Sequence, residues 1–140
     1  MRTTVWHYLF GTDRRHPRVT LQIPGQEPIR SLFNGIVANG SPWTYFGRLP
    51  VNPFPLASFD HDLDLFALRK MTVPGSVRIA QQFFEESSRH SRRHVLTMHN
   101  VATFTMVSDV PMAAQVDGDF IGERTSMTFE SVRAALTVIA

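Results

Sequence analysis

The chain has 140 residues and a mass of 15.9 kDa, the size of one domain, and its 43% hydrophobic content is enough to close a core. That content rules out disorder as a description of the whole chain, and no run approaches the roughly 18 to 20 uninterrupted apolar residues of a membrane span. The net charge is only +2 although the pI is 9.7, because 13 of the 14 cationic residues are arginine and only Lys70 is lysine, a balance that does not by itself point to nucleic acid. Taken in order, Val5, Trp6, Leu9 and Phe10 recur at helical spacing, with Thr3 or Thr4 as cap and Gly11 as stop, so a short N-terminal helix is predicted. A polar linker, 13–17, leads into an alternating strand, 19–23, that ends at the Pro24-Gly25 turn signal. Residues 31–38 are again rich in strand formers. Four prolines (Pro42, Pro50, Pro53 and Pro55) forbid a helix over 39–57, which reads as a long loop carrying Trp43, Tyr45 and Phe46.

A strand is predicted over 63–70. Pro74-Gly75-Ser76 then opens an internal helix in which Val77, Ala80 and Phe84 share a face, with Ile79 and Phe83 beside them. After the polar string 87–94, four short strands are predicted over 95–99, 102–108, 112–116 and 125–129, and 134–139 closes the chain. Many short strands with one internal helix and a short N-terminal helix imply a single domain, mainly β, built as an antiparallel β-sandwich.

Three clusters are candidates for chemistry. In Asp60-His61-Asp62-Leu63-Asp64 an extended chain puts the three carboxylates on one face, suiting Mg²⁺ or Ca²⁺, while a solvated strand entry is the commoner source of such a short acidic pattern. Asp117-Gly118-Asp119 is a hairpin signal, and it is also a place where Asp119 is held out as a general base. The string Arg89 to His94 suits either lipid phosphates at a membrane surface or a solvated helix end. His7, His16 and His99 show no metal-ligand spacing, no nucleophile elbow is present, and without adjacent glycines there is no glycine-rich phosphate loop. The absence of cysteine excludes disulfides, thiolate zinc sites and cysteine nucleophiles. With no signal-peptide pattern, a cytoplasmic location is expected.

In order and spacing, these features resemble the C-terminal domain of the bacterial diacylglycerol kinase-like lipid kinases of actinobacterial type, a group similar to NAD kinases in plan. Four stretches carry the resemblance, which spans nearly the whole chain. Asn39-Gly40-Ser41-Pro42-Trp43-Thr44-Tyr45-Phe46-Gly47 resembles the segment after a central strand. Pro55 to Asp64 resembles the proline, alanine and DGxLD run. Gln115 to Asp119 resembles the DGE or DGD motif, and Ala134 to Ile139 the closing strand.

The resemblance implies an intact enzyme in which an N-terminal α/β domain carries a GGDGT nucleotide loop, the C-terminal β-sandwich takes the lipid alcohol, and ATP with Mg²⁺ lies between them. Here the GGDGT part is missing, so the chain is expected to be the second domain only, inactive alone, with the N-terminal kinase domain as its natural partner. By position Asp119 falls on the catalytic base and Asp117 orients the hairpin. Asp60 falls on the metal-associated aspartate, with the carbonyls of Ala57 and Asp62 as further ligands. Two departures stand out. His61 replaces the motif's glycine and would disturb a backbone that needs positive φ. Asp119 is one methylene shorter than glutamate, and about 1 Å of misplacement costs roughly a hundredfold in rate. The alternatives are a stand-alone β-sandwich module binding lipid or another small ligand without catalysis, and a structural domain that docks a partner or a second copy of itself. A lipid acceptor would bring the chain to the inner membrane face.

Overall fold

The computed structural model describes residues 15–84 and 93–132. The predicted N-terminal helix, the closing strand 134–139 and all of the basic string except Arg93 and His94 lie outside the described residues. In chain order the elements are β1 (Val19–Gln22), β2 (Ile29–Leu32), β3 (Gly35–Ala38), β4 (Thr44–Phe46), β5 (Leu49–Val51), β6 (Leu63–Leu68), α1 (Val73–Gln82), β7 (Val95–Val101), β8 (Thr103–Val116) and β9 (Asp119–Glu130). They form a four-stranded sheet ordered β2-β1-β8-β9, a three-stranded sheet ordered β3-β6-β7, and the β4-β5 ribbon. Every pairing is antiparallel. The fold is thus the mainly β, antiparallel, sandwich-like one that the many short apolar runs predict.

Strand β6 explains how the layers stack. It is the middle strand of its sheet, and Asp64 through Leu68 are all buried. Period-2 alternation sends Leu65 and Ala67 toward the four-stranded sheet, where they pack with Val19, Leu21, Leu32 and Phe104. Phe66 and Leu68 point the other way, into a second core with Phe54, Met71, Ile79 and Val95 under α1. A strand covered on both faces needs a continuous apolar run, and Leu65-Phe66-Ala67-Leu68 supplies it. The architecture is sheet, sheet and a helix-and-loop cover, with Phe66 edge-on to Phe83 at 5.1 Å in the outer layer.

Several expectations are corrected. The strand-rich run 31–38 is divided between the two sheets: Ser31 takes a φ of 65, the chain turns, and the Phe33 N–H donates to the Leu68 carbonyl at 2.9 Å before β3 begins. The expected long loop 39–57 contains the β4-β5 ribbon, turned at Gly47 with a φ of 64. Pro50 fits in β5 because a two-stranded ribbon has edges that need no donor there. Helix α1 starts one residue before Pro74, capped by the Thr72 hydroxyl, which accepts from the Gly75 N–H at 3.3 Å. Its buried side is Ile79 with the half-buried Phe83, whereas Val77, Ala80 and Phe84 face outward.

The two short strands expected over 102–108 and 112–116 are one 14-residue strand, β8, which passes through Pro111 at a register irregularity between Val107 and Met112. Likewise β9 begins at Asp119 rather than at residue 125.

Candidate functional site

Asp117-Gly118 forms the tight turn between β8 and β9. Val116 pairs with Asp119, and φ values of 51 and 90 at the two central residues are those of a type I′ turn. Glycine at the second position tolerates that conformation without the Cβ clash another residue would suffer. Asp119 is therefore the first residue of β9, exposed at the end of a rigid two-stranded arm.

Beside this arm a cavity of about 1170 Å³ lies between β3, the 39–44 segment and the β8-β9 pair. It is large for a small-molecule site. Its walls are mainly apolar, with Ile36, Met106, Met112 and Phe129 prominent, and Asp117 and Gly118 stand at its border. Three of the stretches singled out in the sequence meet around it: residues 39–44, Phe59 from the proline-alanine run, and the Asp117-Gly118 turn. The 39–44 segment, which contains a cis Ser41-Pro42 bond, is fastened to the ribbon by two bonds. The Ser41 hydroxyl donates to Asn52 Oδ1 at 2.9 Å, and the Trp43 N–H donates to the Val51 carbonyl at 3.1 Å. Phe59 leans on Gly40 so closely that a Cβ at that position would lie 3.0 Å from its Cζ, so glycine is the residue that admits the ring.

Two polar features of the cavity went unnoticed in the sequence. Asn34, at the turn between the sheets, lines it, and its Oδ1 is buried without a hydrogen-bond partner. Arg124 is the cation among the described residues that lines it, its Nη1 donating to the Glu123 carbonyl at 2.9 Å. A lone asparagine and a surface arginine carry no spacing signal, so only the fold could have found them.

The acidic cluster is resolved into different environments. Asp64 is buried in β6, and its Oδ1 accepts from His99 Nδ1 at 2.7 Å and from the Asn100 N–H at 3.1 Å. A carboxylate only accepts, so the hydrogen sits on Nδ1. The Asn100 side chain then accepts from the Asp62 N–H at 2.9 Å, tying the Asp60–Asp62 turn to the β7-β8 corner. Asp60 is exposed, its N–H donating to Ser58 Oγ at 3.3 Å. Alternation therefore does not put the three carboxylates on one face: regular strand begins only at Leu63. Asp60 and Asp62 do not line the cavity, nor does Asp119 or Ala57. Among the described residues no three His, Asp or Glu side chains converge to hold a metal ion. His61 takes no positive φ, so its backbone carries no strain of that kind, and its ring meets that of His99 edge-on at 5.2 Å.

No family model and no curated protein matches the sequence. Solved structures do match the fold. A diacylglycerol kinase from Bacillus anthracis str. Sterne aligns with a TM-score of 0.63 and 12% identity, over 91% of this chain and 43% of that one. A second structure from the same organism, assigned to the same kinase class, aligns with a TM-score of 0.55 and 14% identity over the same shares. At such identity the likeness is one of fold, and the chain spans less than half the length of the kinases it matches.

Proposed function

We propose that this chain is the lipid-binding, C-terminal half of a diacylglycerol kinase-type lipid kinase. One observation carries the reading: the fold matches such kinases over 91% of the chain, and three of the four stretches that resemble the family's motifs contribute residues to one apolar cavity. An acyl chain would occupy the cavity, and burial of its methylenes would supply about 0.8 kcal/mol each. The buried Asn34 Oδ1 would accept a hydrogen bond from the lipid hydroxyl on binding, removing an unpaired acceptor. Arg124 is placed to meet phosphate.

In the intact enzyme the γ-phosphoryl group of ATP passes to the lipid alcohol. Asp119 takes the hydroxyl proton as the oxygen bonds to phosphorus, and the bond to ADP breaks. Asp117 fixes the turn that presents it. Asp60, with the carbonyls of Ala57 and Asp62, offers an all-oxygen donor set with a single carboxylate. That suits Mg²⁺, which retains several waters. The ion supplies positive charge that offsets the charge developing on the phosphate. ATP itself would be held by the other half of the enzyme.

The test joins this chain to a GGDGT-bearing domain and measures phosphate transfer to diacylglycerol. Activity is expected from the pair and not from the chain alone, with a loss of at least a hundredfold on Asp119→Asn. Robust activity from the chain alone would refute the division of labour. The separation of Asp119 from the cavity wall favours one other reading, a lipid-binding module without catalysis. Lipid binding that survives Asp119→Asn while no partner domain restores transfer would establish it.

A further inference from the structure

Helix α1 carries two apolar faces, and only one is used. Ile79 and Phe83 are packed into the outer core. Val77 sits about 160° around the helix from Ile79, at roughly 100° per residue, and with Val73, Ala80 and Phe84 forms a second stripe at i, i+4, i+7 and i+11. Val77 is 54% exposed and Phe84 47%. The stripe does not end with the helix. Phe84 meets Phe46 of β4 edge-on at 6.4 Å, and the Asn52 N–H donates to the Phe83 carbonyl at 2.7 Å, locking ribbon and helix together. Beyond Phe46, which is 53% exposed, the ribbon adds its register partner Leu49, 59% exposed on the same face. Aromatic and aliphatic side chains thus form one outward surface on two elements fastened to each other, more than scattered surface hydrophobics would give.

Charge identifies what covers it. The β4-β5 ribbon and α1, residues 44–51 and 73–82, contain no Asp or Glu and two cations, Arg48 at the ribbon turn and Arg78. We infer that α1 and the β4-β5 ribbon form a docking face for an anionic phospholipid surface. Phe46, Leu49 and Phe84 enter the headgroup boundary there, and Arg48 and Arg78 meet lipid phosphates. Pairing with a second copy would bring like charges together, which disfavours the homodimer on this face. The ribbon is continuous with the cavity border, since Trp43 and Thr44 line the cavity one step before Tyr45. A docked membrane would therefore lie beside the lipid's route in. This inference rests on the lipid-kinase reading and names the surface from which that substrate is drawn.

The test is co-sedimentation of the 140-residue chain with vesicles of phosphatidylcholine alone or with phosphatidylglycerol added, for the unmodified chain, Val77→Asp and Phe46→Ser. Circular dichroism confirms folding. Phosphatidylglycerol should raise vesicle affinity at least fivefold, and each substitution should lower it about tenfold. Unchanged binding by folded variants would overturn the inference, as would a failure of the unmodified chain to bind. A dimer dissolved by Val77→Asp would assign the face to a second copy and overturn it as well. Binding of monomeric dioctanoylglycerol, read by tryptophan fluorescence, separates the two ideas. If it is retained in Val77→Asp while vesicle binding is lost, both stand; vesicle binding without any dioctanoylglycerol binding removes the cavity reading and leaves the docking face.

Discussion

Replacement of Asp64 by alanine tests how the acidic turn is held. The carboxylate is 3% exposed, and its Oδ1 alone accepts both the His99 Nδ1–H and the Asn100 N–H. A hydrogen bond to a charged acceptor contributes about 1.5–3 kcal/mol net, and an unsatisfied buried donor costs about 1–3 kcal/mol. The His99 side chain is 36% exposed, so water can rescue its donor. The Asn100 N–H, at a φ of 58, is the second donor that loses its partner. Together these give an expected loss of about 3–4 kcal/mol for Asp64→Ala. Asp64→Asn should lose only about 1 kcal/mol, because an amide oxygen can occupy the Oδ1 position and keep both bonds without the charge. The measurement is urea unfolding followed by circular dichroism, with the slope unchanged and only the midpoint moved. Because Asn100 also accepts from the Asp62 N–H, hydrogen exchange at Asp62 should quicken in Asp64→Ala. A loss below about 1 kcal/mol for the alanine variant, or equal losses for alanine and asparagine, would refute the reasoning.

The remaining predictions are simpler. Asn34→Leu removes an unpartnered buried acceptor, so stability should stay within about 0.5 kcal/mol or rise, while affinity for dioctanoylglycerol falls roughly fivefold in a fluorescence titration. Ala114→Phe directs a ring from a buried wall position into the cavity. It should weaken the same binding at least tenfold at a folding cost of about 1–3 kcal/mol, seen as a lower melting temperature. Gly118→Ala has open space around its Cβ but a φ of 90, so its cost is conformational, about 1–2 kcal/mol by thermal unfolding.

Much of the fold was legible because its signals are local. The apolar run in β6, the Asp-Gly turn and the prolines of 39–57 each constrain the few residues around them. What was misread depended on distant partners. The strand pattern divides 102–116 in two, yet β8 runs unbroken through Pro111 at a register irregularity. Alternation placed Asp60, Asp62 and Asp64 together, but the strand starts only after the first two, and the third is claimed by His99 from another strand. Periodicity found the stripe of Val77, Ala80 and Phe84, yet the fold packs Ile79 and Phe83 beside it, since spacing reports that a face is apolar and not which body it meets.

Strand and turn patterns along the sequence pointed to a mainly β, antiparallel fold with one internal helix among the described residues, and composition excluded cysteine chemistry. Motif order pointed to the lipid kinases. Only the tertiary structure decided that residues 39–44, Phe59 and the Asp117 turn share one cavity, that Asn34 and Arg124 belong to it, and that α1 keeps an apolar face outside. The reason is physical: hydrogen-bonding and turn preferences act over a few residues, whereas burial is a property of surfaces brought together from strands as much as 90 residues apart, as when β1 pairs with β8.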